Sequence, residues 1–572
     1  MSRTRKSPLA IGALVAAIAI VLASCGGSSK SGSGGTAAIQ PTKEGGAITV
    51  GAEEELSSFN TNTSADNSLW GAMISRLIWP QYYYQTPDFK LATGFIAAAP
   101  AQVINQKPFT VKWTINPKAV WSDGVPVTSD DLYYFWQSCN NKVDPGEPVN
   151  KDGSTAVDCV SPDGYDKITK FTKVDAKTAE AVFSEPVAEY QTLFSTPMPP
   201  AHIARAKGQD AWAKAFVSSP IVSAGPYMLK SYTKGESLTL EKNPHFWGTP
   251  AHLDTITFRF FQKSSQIPEA LANNEVDVIY PTTPQIDTIA NVDKISDVTS
   301  TTTFGPQWEH LTFNLANSIL ADVNVRKAII LGIDRQRIVD TLMKPFSDKA
   351  TVLNNHVYVN NQAEYQNNAG DLEHQNVAQA KQLLDQAGWT VPAGGTIREK
   401  GGKKLSLRII TTGGNTTREN TEKEVQSELK DIGIDLKIDN RPGNDAFSVI
   451  FPAPGGPSTA GDWDIALFAW IGGVAPAIGT APTYETGAGN NPGGYSNKQV
   501  DALFAQAEQE VDTTKRVEDL NQIDKLLWAD PPDVPLYQTP TFLAFNTKFV
   551  NISENTTTEG FTWDAEKWGL KP

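Results

Sequence analysis

The residues of this chain best placed to do chemistry are suited to binding a solute rather than to turning one over. Thr411-Thr412-Gly413-Gly414-Asn415 follows an alternating apolar stretch. Ligands of open α/β sheets gather at such strand ends, and glycines there let backbone groups approach closely. Arg418, just beyond, could hold a carboxylate through its forked donors. Tyr82-Tyr83-Tyr84 cannot all face one core, so at least one should meet water or solute. Catalytic signatures are missing: there is no G-x-S-x-G elbow, no G-x-x-x-x-G-K-[ST] phosphate loop and no H-E-x-x-H helix. Glu54 and Glu55 could in principle serve glycoside hydrolysis, but neighbours in an extended segment point opposite ways. Six scattered histidines give no metal constellation, and no cofactor is expected. The chain reads as a binding protein and not an enzyme.

The first residues read as an address. Arg3, Arg5 and Lys6 precede an apolar run from Leu9 to Leu22, and Leu22-Ala23-Ser24-Cys25 closes it. The run is shorter than the roughly 20 residues that span a bilayer. Gly26, Gly27 and a Ser/Gly tract through Gly35 follow, and the whole resembles the lipobox of bacterial lipoproteins. That resemblance implies cleavage before Cys25 and diacylglyceryl modification of its thiol. The expected layout is a signal peptide over 1–24 and a polar tether over 25–44 that holds the protein to the outer face of the cell membrane.

Cys139 and Cys159 are the other two cysteines, and in an exported chain they are expected to form a disulfide. A length of 572 residues exceeds one core and points to two or more lobes. The net charge is −14 and falls to about −17 without the three basic residues of the leader, which argues against nucleic acid or an anionic lipid surface as partner. The 14 Trp and 15 Tyr are plentiful for a hydrophilic chain; many must fill cores, and a surplus is also what a wide, mildly apolar cleft would use.

The patterning predicts an α/β fold. Ala47 to Gly51 is a strand, with Glu53 to Asn60 as the loop after it. Phe109 to Ile115 alternates as a half-buried strand. Trp121-Ser122-Asp123-Gly124 makes a turn, and Thr128 caps a helix carrying Leu132, Phe135 and Trp136. Leu405, Leu407 and Ile409, then Val425, Leu429 and Ile432, then Ile434, Leu436 and Ile438 form a strand-helix-strand unit ended by Gly433, which predicts parallel pairing. Two further helices carry Val500 to Val511 and Val517 to Leu527, the second stopped by Pro531-Pro532. Arg326 and Asp334 suggest a charge pair.

Four ordered segments resemble the family 5 extracellular solute-binding proteins, the group of dipeptide, oligopeptide and nickel receptors. They are Trp121-Ser122-Asp123-Gly124-Val125-Pro126-Val127-Thr128 with Asp130-Asp131; Gly225-Pro226-Tyr227 with Lys242-Asn243-Pro244-His245-Phe246-Trp247; Glu269-Ala270-Leu271 with Glu275-Val276-Asp277; and Phe313-Asn314 with Val325-Arg326-Lys327-Ala328-Ile329 and Gly332-Ile333-Asp334-Arg335. A weaker match is Asp530-Pro531 with Pro535-Leu536-Tyr537.

The resemblance implies a two-lobed, periplasmic-binding-protein-like fold: a large lobe over 45–308 with a subdomain inserted near 81–222, a smaller lobe over 309–540, and a return over 541–572. Two crossovers, near Trp308 to Asn314 and Pro535 to Asn546, would form the hinge. It implies a monomeric receptor for an ABC importer that captures peptides and delivers them to permease subunits with cytoplasmic ATPases; a saccharide, siderophore, haem or nickel chelate is the alternative solute. Ligand candidates are Glu53, Glu55 and Leu56 after the first strand; Tyr82 and Tyr83; Trp308, Glu309 and His310 in the hinge; Thr412, Gly413, Gly414, Asn415 and Arg418; and Trp470, Ile471 and Gly472. In peptide-binding relatives the position three residues after that tryptophan is an aspartate that pairs with the peptide amino terminus, whereas this chain has Gly473. Loss of such a partner costs roughly 2–5 kcal/mol, so a longer or modified peptide, or a solute without a free amine, becomes credible.

Overall fold

Strand-forming runs of β-branched and aromatic residues build one ten-stranded mixed sheet. The chain is seen in a computed structural model that describes residues 39–63, 66–140, 159–207, 212, 215–217, 221–451 and 462–572. The leader, Cys25 and most of the tether lie outside the described residues. In chain order the strands are β1 (Ala47–Ala52), β2 (Tyr227–Thr233), β3 (Ser237–Lys242), β4 (Thr255–Phe260), β5 (Val278–Ile279), β6 (Val298–Phe313), β7 (Ser406–Ile410), β8 (Asp435–Ile438), β9 (Ile465–Ile471) and β10 (Asp533–Asn546). Across the sheet they run β8-β7-β9-β6-β10-β5-β1-β4-β3-β2. The helices needed below are α1 (Ser129–Cys139), α2 (Thr416–Asp431), α3 (Gly443–Ile450), α4 (Pro476–Tyr484), α5 (Lys498–Ala507) and α6 (Thr513–Ala529).

The ordered body starts earlier than Gly45. Gln40 donates to Asn551 Oδ1 at 2.8 Å, Lys43 bridges to Leu570, and Glu44 meets His252 Nδ1 at 2.6 Å.

The β7-α2-β8 unit forms as its periodicity predicts, with Ser406 to Ile409 pairing parallel to Asp435 to Ile438. Gly433 ends the unit's helix at φ +88°, where a Cβ would sit 2.7 Å from Arg398 Cγ, so only glycine fits without a shift. Thr128 caps α1 in a full capping box with Asp131. Cys139 at the end of that helix is bonded to Cys159 as expected, although residues 141–158 between them lie outside the described residues. α5 stops at Ala507, short of Val511, which packs instead against the first core.

Two large cores flank the sheet. The first gathers Val50, Trp70, Trp79, Trp113, Trp121, Phe135, Phe194 and Trp568. The second gathers Leu311, Phe313, Ile329, Leu407, Val425, Leu429, Ile434, Leu467 and Val534. β10 serves both, with Leu543 in the first core and Leu536 and Phe542 in the second. β6 and β10 pair antiparallel from Val298/Asn546 to Thr312/Asp533, with a register slip between Phe304 and Trp308. The two segments expected as crossovers are these paired strands. A separate antiparallel sheet of Gln102–Gln106, Phe109–Thr114, Thr178–Phe183 and Ile168–Asp175 packs under α1, with Phe171 stacked on Trp113 and Trp136.

Arg326 does not pair with Asp334. Its guanidinium bonds Asp530 and the Pro531 and Leu320 carbonyls, while Asp334 accepts the Arg337 amide as a helix cap. The buried arginine ties the end of α6 to the second core, a distance in sequence that no local pattern reveals.

Candidate functional site

Strand alternation sorts the centre of the sheet into two environments. Trp308 of β6 stands opposite Trp470 of β9, and His310 opposite Phe468. His310 lies 4.4 Å from the Phe468 ring and 5.8 Å from Trp470, centroid to centroid, and Phe451 beyond the end of α3 lies 5.9 Å from Trp470. Glu309, between Trp308 and His310, takes the other side and meets the first turn of α2.

That meeting is the electrostatic centre of the site. Arg418 Nε lies 3.0 Å from both Glu309 carboxylate oxygens, its Nη2 lies 2.9 Å from Oε1, and its Nη1 donates to Thr412 Oγ1 at 3.0 Å. The side chains are 11% and 5% exposed, so the pair is nearly dry. Burial pushes the Glu309 carboxyl up, and Arg418 beside it pulls the other way. The fork expected to take a carboxylate is therefore filled from within, and the pair offers a solute no net charge.

The Thr411–Asn415 loop is tied down by the same helix start. Asn415 caps α2 by accepting the Arg418 amide at 3.1 Å, Gly414 donates to Glu419 Oε1 at 2.9 Å, and Gly413 donates to the Arg441 carbonyl at 2.7 Å. Gly414 takes φ +89° with open space at its Cβ position, so the backbone turn rather than crowding selects glycine.

His310 is fully buried, and burial followed by the positive Arg418 and His356 holds it well below the usual imidazole range. Neither ring nitrogen meets strict hydrogen-bond geometry with a group among the described residues. The same holds for the Trp470 indole nitrogen. No group of three or more His, Cys, Asp or Glu among the described residues could hold a metal ion.

Several expected residues lie elsewhere. Tyr82 and Tyr83 are core residues: Tyr82 OH donates toward the Ala99 and Thr114 carbonyls, and Tyr83 OH accepts the Ala101 amide at 2.6 Å. Tyr84 is the partly exposed one of the three. Leu56 is buried in the first core, Glu55 binds Tyr232 OH at 2.5 Å and the Gly235 amide at 2.8 Å, and Glu53 accepts the Thr282 amide at 2.8 Å. A cavity of ≈ 720 Å³ does open at Glu55 and Leu56, walled by Val217, Ile221, Lys230 and Tyr232, and it shares no lining residue with the aromatic site. Ile471 is 63% exposed, Gly472 donates to the Pro306 carbonyl at 2.8 Å, and the Gly473 carbonyl accepts from Gln362 at 3.1 Å.

Sequence reasoning missed Phe89, Leu353, Val359, Phe447 and Phe451. Phe89, Leu353 and Val359 cluster with Trp308, against which Tyr365, Trp470 and Val474 pack. The one available signal was a phenylalanine in the turn-forming Thr86-Pro87-Asp88-Phe89-Lys90, where turn chemistry leaves an apolar ring no local core.

A mixed sheet between two cores carries an aromatic site beside its longest paired strands, an arrangement suited to holding a solute. Comparison with known proteins makes the class specific. The model of bacterial extracellular solute-binding proteins, family 5 middle, matches residues 95–492, and the chain belongs to that family. It is 28% identical over 513 residues to the oligopeptide-binding protein OppA of Mycobacterium tuberculosis, covering 89% of this chain and 83% of that one. The fold matches a periplasmic EDTA-binding protein, EppA, with a TM-score of 0.84 at 25% identity over 93% of this chain and 98% of that one. It also matches the oligopeptide-binding protein AppA of Bacillus subtilis in complex with a nonapeptide, with a TM-score of 0.70 at 21% identity over 93% and 100% of the two chains. No helix among the described residues is long and apolar enough to cross a membrane.

Proposed function

We propose that this chain is the peptide-capturing receptor of an ABC importer, tethered outside the cell membrane through lipid on Cys25, which passes its solute to a membrane permease. The observation that carries the peptide assignment is the likeness to the mycobacterial oligopeptide-binding protein across 89% of this chain. The two cores act as lobes, and β6 and β10 are the connection about which they close. Closure is favoured by whatever contacts a solute makes to both sides.

The site chemistry narrows the solute. Arg418 is neutralised by Glu309, and Gly473 brings no carboxylate to an amino terminus. The walls are Trp308, Trp470 and Phe451. Such a site holds a peptide by side chains and backbone rather than by its charged ends. The likeness to an EDTA-binding protein favours a second reading, a polycarboxylate chelate. A polyanion needs uncompensated cations, and the paired Arg418 supplies none, so the peptide reading is preferred.

Native mass spectrometry of the mature domain purified from its own host, followed by denaturation to release bound solute, tests the choice. A ladder of peptides is expected. A single non-peptide compound, or an empty protein that peptides do not stabilise thermally, overturns the peptide assignment.

A further inference from the structure

Phe89 sits at the tip of a hairpin whose strands, Tyr83–Gln85 and Leu91–Thr93, pair antiparallel. Its neighbours Pro87, Asp88 and Lys90 are exposed, yet Phe89 is only 8% exposed. The ring is buried among residues more than two hundred positions away, in the cluster of Trp308, Leu353 and Val359.

Among the described residues no hydrogen bond from the tip reaches the far side, which the ring itself meets. Asp88 is engaged within the tip, by Thr86 Oγ1 at 2.6 Å and Lys90 Nζ at 2.7 Å. The Thr86 and Phe89 amides close the turn on Lys90 and Thr86 carbonyls. Phe89 also takes φ +58°, a left-handed conformation costly for a bulky side chain, so its insertion works against the local backbone. A single ring held under strain, with no polar bond to its pocket, is readily exchanged.

We propose that Phe89 is an internal plug: it fills a subsite for one large apolar or aromatic group of the solute, and that group binds by displacing it. The walls fix the chemistry. Leu353, Val359 and the Trp308 ring offer apolar surface, which disfavours a charged group. The buried Trp470 indole N–H has no acceptor among the described residues, and a carbonyl beside the incoming group would supply one. A Phe- or Leu-sized side chain next to a peptide carbonyl meets both demands. The location of the subsite rests on the solute-receptor reading above; the plug itself does not require the solute to be a peptide.

The test is Phe89→Gly in the full mature chain, since glycine accepts the positive φ and leaves the hairpin intact. The uncharged apolar dye N-phenyl-1-naphthylamine is titrated first. The variant should bind one dye per chain about tenfold tighter than wild type, and adding Trp308→Ala should remove the gain. Phe89→Leu, which refills the pocket, should exclude the dye as wild type does. The pentapeptides Ala-Ala-Phe-Ala-Ala and Ala-Ala-Ala-Ala-Ala are then compared by calorimetry. Phe89→Gly should raise the preference for the first about fivefold. Equal dye binding by Phe89→Gly and wild type overturns the plug, as does weaker binding of the phenylalanine peptide, which would make the ring part of the solute's grip. A gain in dye binding with no pentapeptide bound by any form keeps the plug and removes the peptide assignment.

Discussion

Replacing Arg418 with methionine should destabilise the chain strongly, and in a pH-dependent way. The guanidinium spends Nε and Nη2 on Glu309 and Nη1 on Thr412, within 3.0 Å in each case. Methionine retains most of the volume and removes every one of these bonds. Glu309, with a side chain 5% exposed, then stays buried without its cation. Breaking one side of a buried pair costs about 3–5 kcal/mol, because the remaining charge is neither solvated nor matched. Burial already raises this carboxyl, and loss of Arg418 raises it further. An acid whose folded pKa exceeds its unfolded value carries no penalty below the unfolded pKa; the penalty grows as pH rises toward the folded value. The loss in Arg418→Met should therefore be small near pH 4 and large at pH 7.5. Urea unfolding at both pH values measures it. Adding Glu309→Leu should restore most of the stability at pH 7.5, since a buried pair replaced by apolar groups is near neutral. A cost below about 1 kcal/mol at pH 7.5, the same cost at both pH values, or a double variant as unstable as the single one would refute the reasoning.

Two further outcomes follow from other parts of the fold. Cys139→Ser with Cys159→Ser opens a bridge across a sequence separation of 20 and should cost about 3 kcal/mol, read as a lower thermal midpoint that no longer responds to reductant; an unchanged midpoint would show that the bridge adds nothing. Glu189 is buried, accepts the Ala477 and Ile478 amides at the start of α4 at 3.1 and 3.0 Å, and is pushed up to about 7 by that burial. Its folded value lies above the unfolded 4.5, so stability should fall as pH rises from about 4.5 to 7, by up to roughly 1.4 kcal/mol per pH unit for one proton. Glu189→Gln should flatten that slope by up to one proton when unfolding free energy is measured across the window, and an unaltered slope would place the titration on other groups.

The local units were legible because their causes are local. Alternation at Phe109 to Ile115 and in the β7-α2-β8 unit, the Thr128 cap and the Gly433 stop each depend on residues a few positions apart, and each formed as read. The two long strands were recognised from family likeness, because their pairing joins residues more than two hundred positions apart. The site was less legible. The sequence offers Arg418 as a fork for a solute's carboxylate, whereas the carboxylate it meets is Glu309, supplied by a strand more than a hundred positions away. Adjacency of three tyrosines says that one must leave the core but not which; the carbonyls of Ala99 and Thr114 and the Ala101 amide take the Tyr82 and Tyr83 hydroxyls inside, and Tyr84 is the partly exposed one. Phe89 lies in a turn-forming Thr-Pro-Asp-Phe-Lys run, and only the tertiary structure sets its ring against the Trp308 cluster.

By itself, then, the sequence determined the class: an address-like leader, α/β periodicity, a single cysteine pair for a bridge, and ordered motifs of a binding protein. These are written in neighbouring residues, where steric preference and hydrophobic period act directly. Only the tertiary structure decided which charges are free and which aromatic rings are walls. Charge compensation and burial are properties of what lies across a core: Glu309 meets Arg418, and Phe89 joins the cluster against which Trp470 packs, only when the strands of the central sheet have paired.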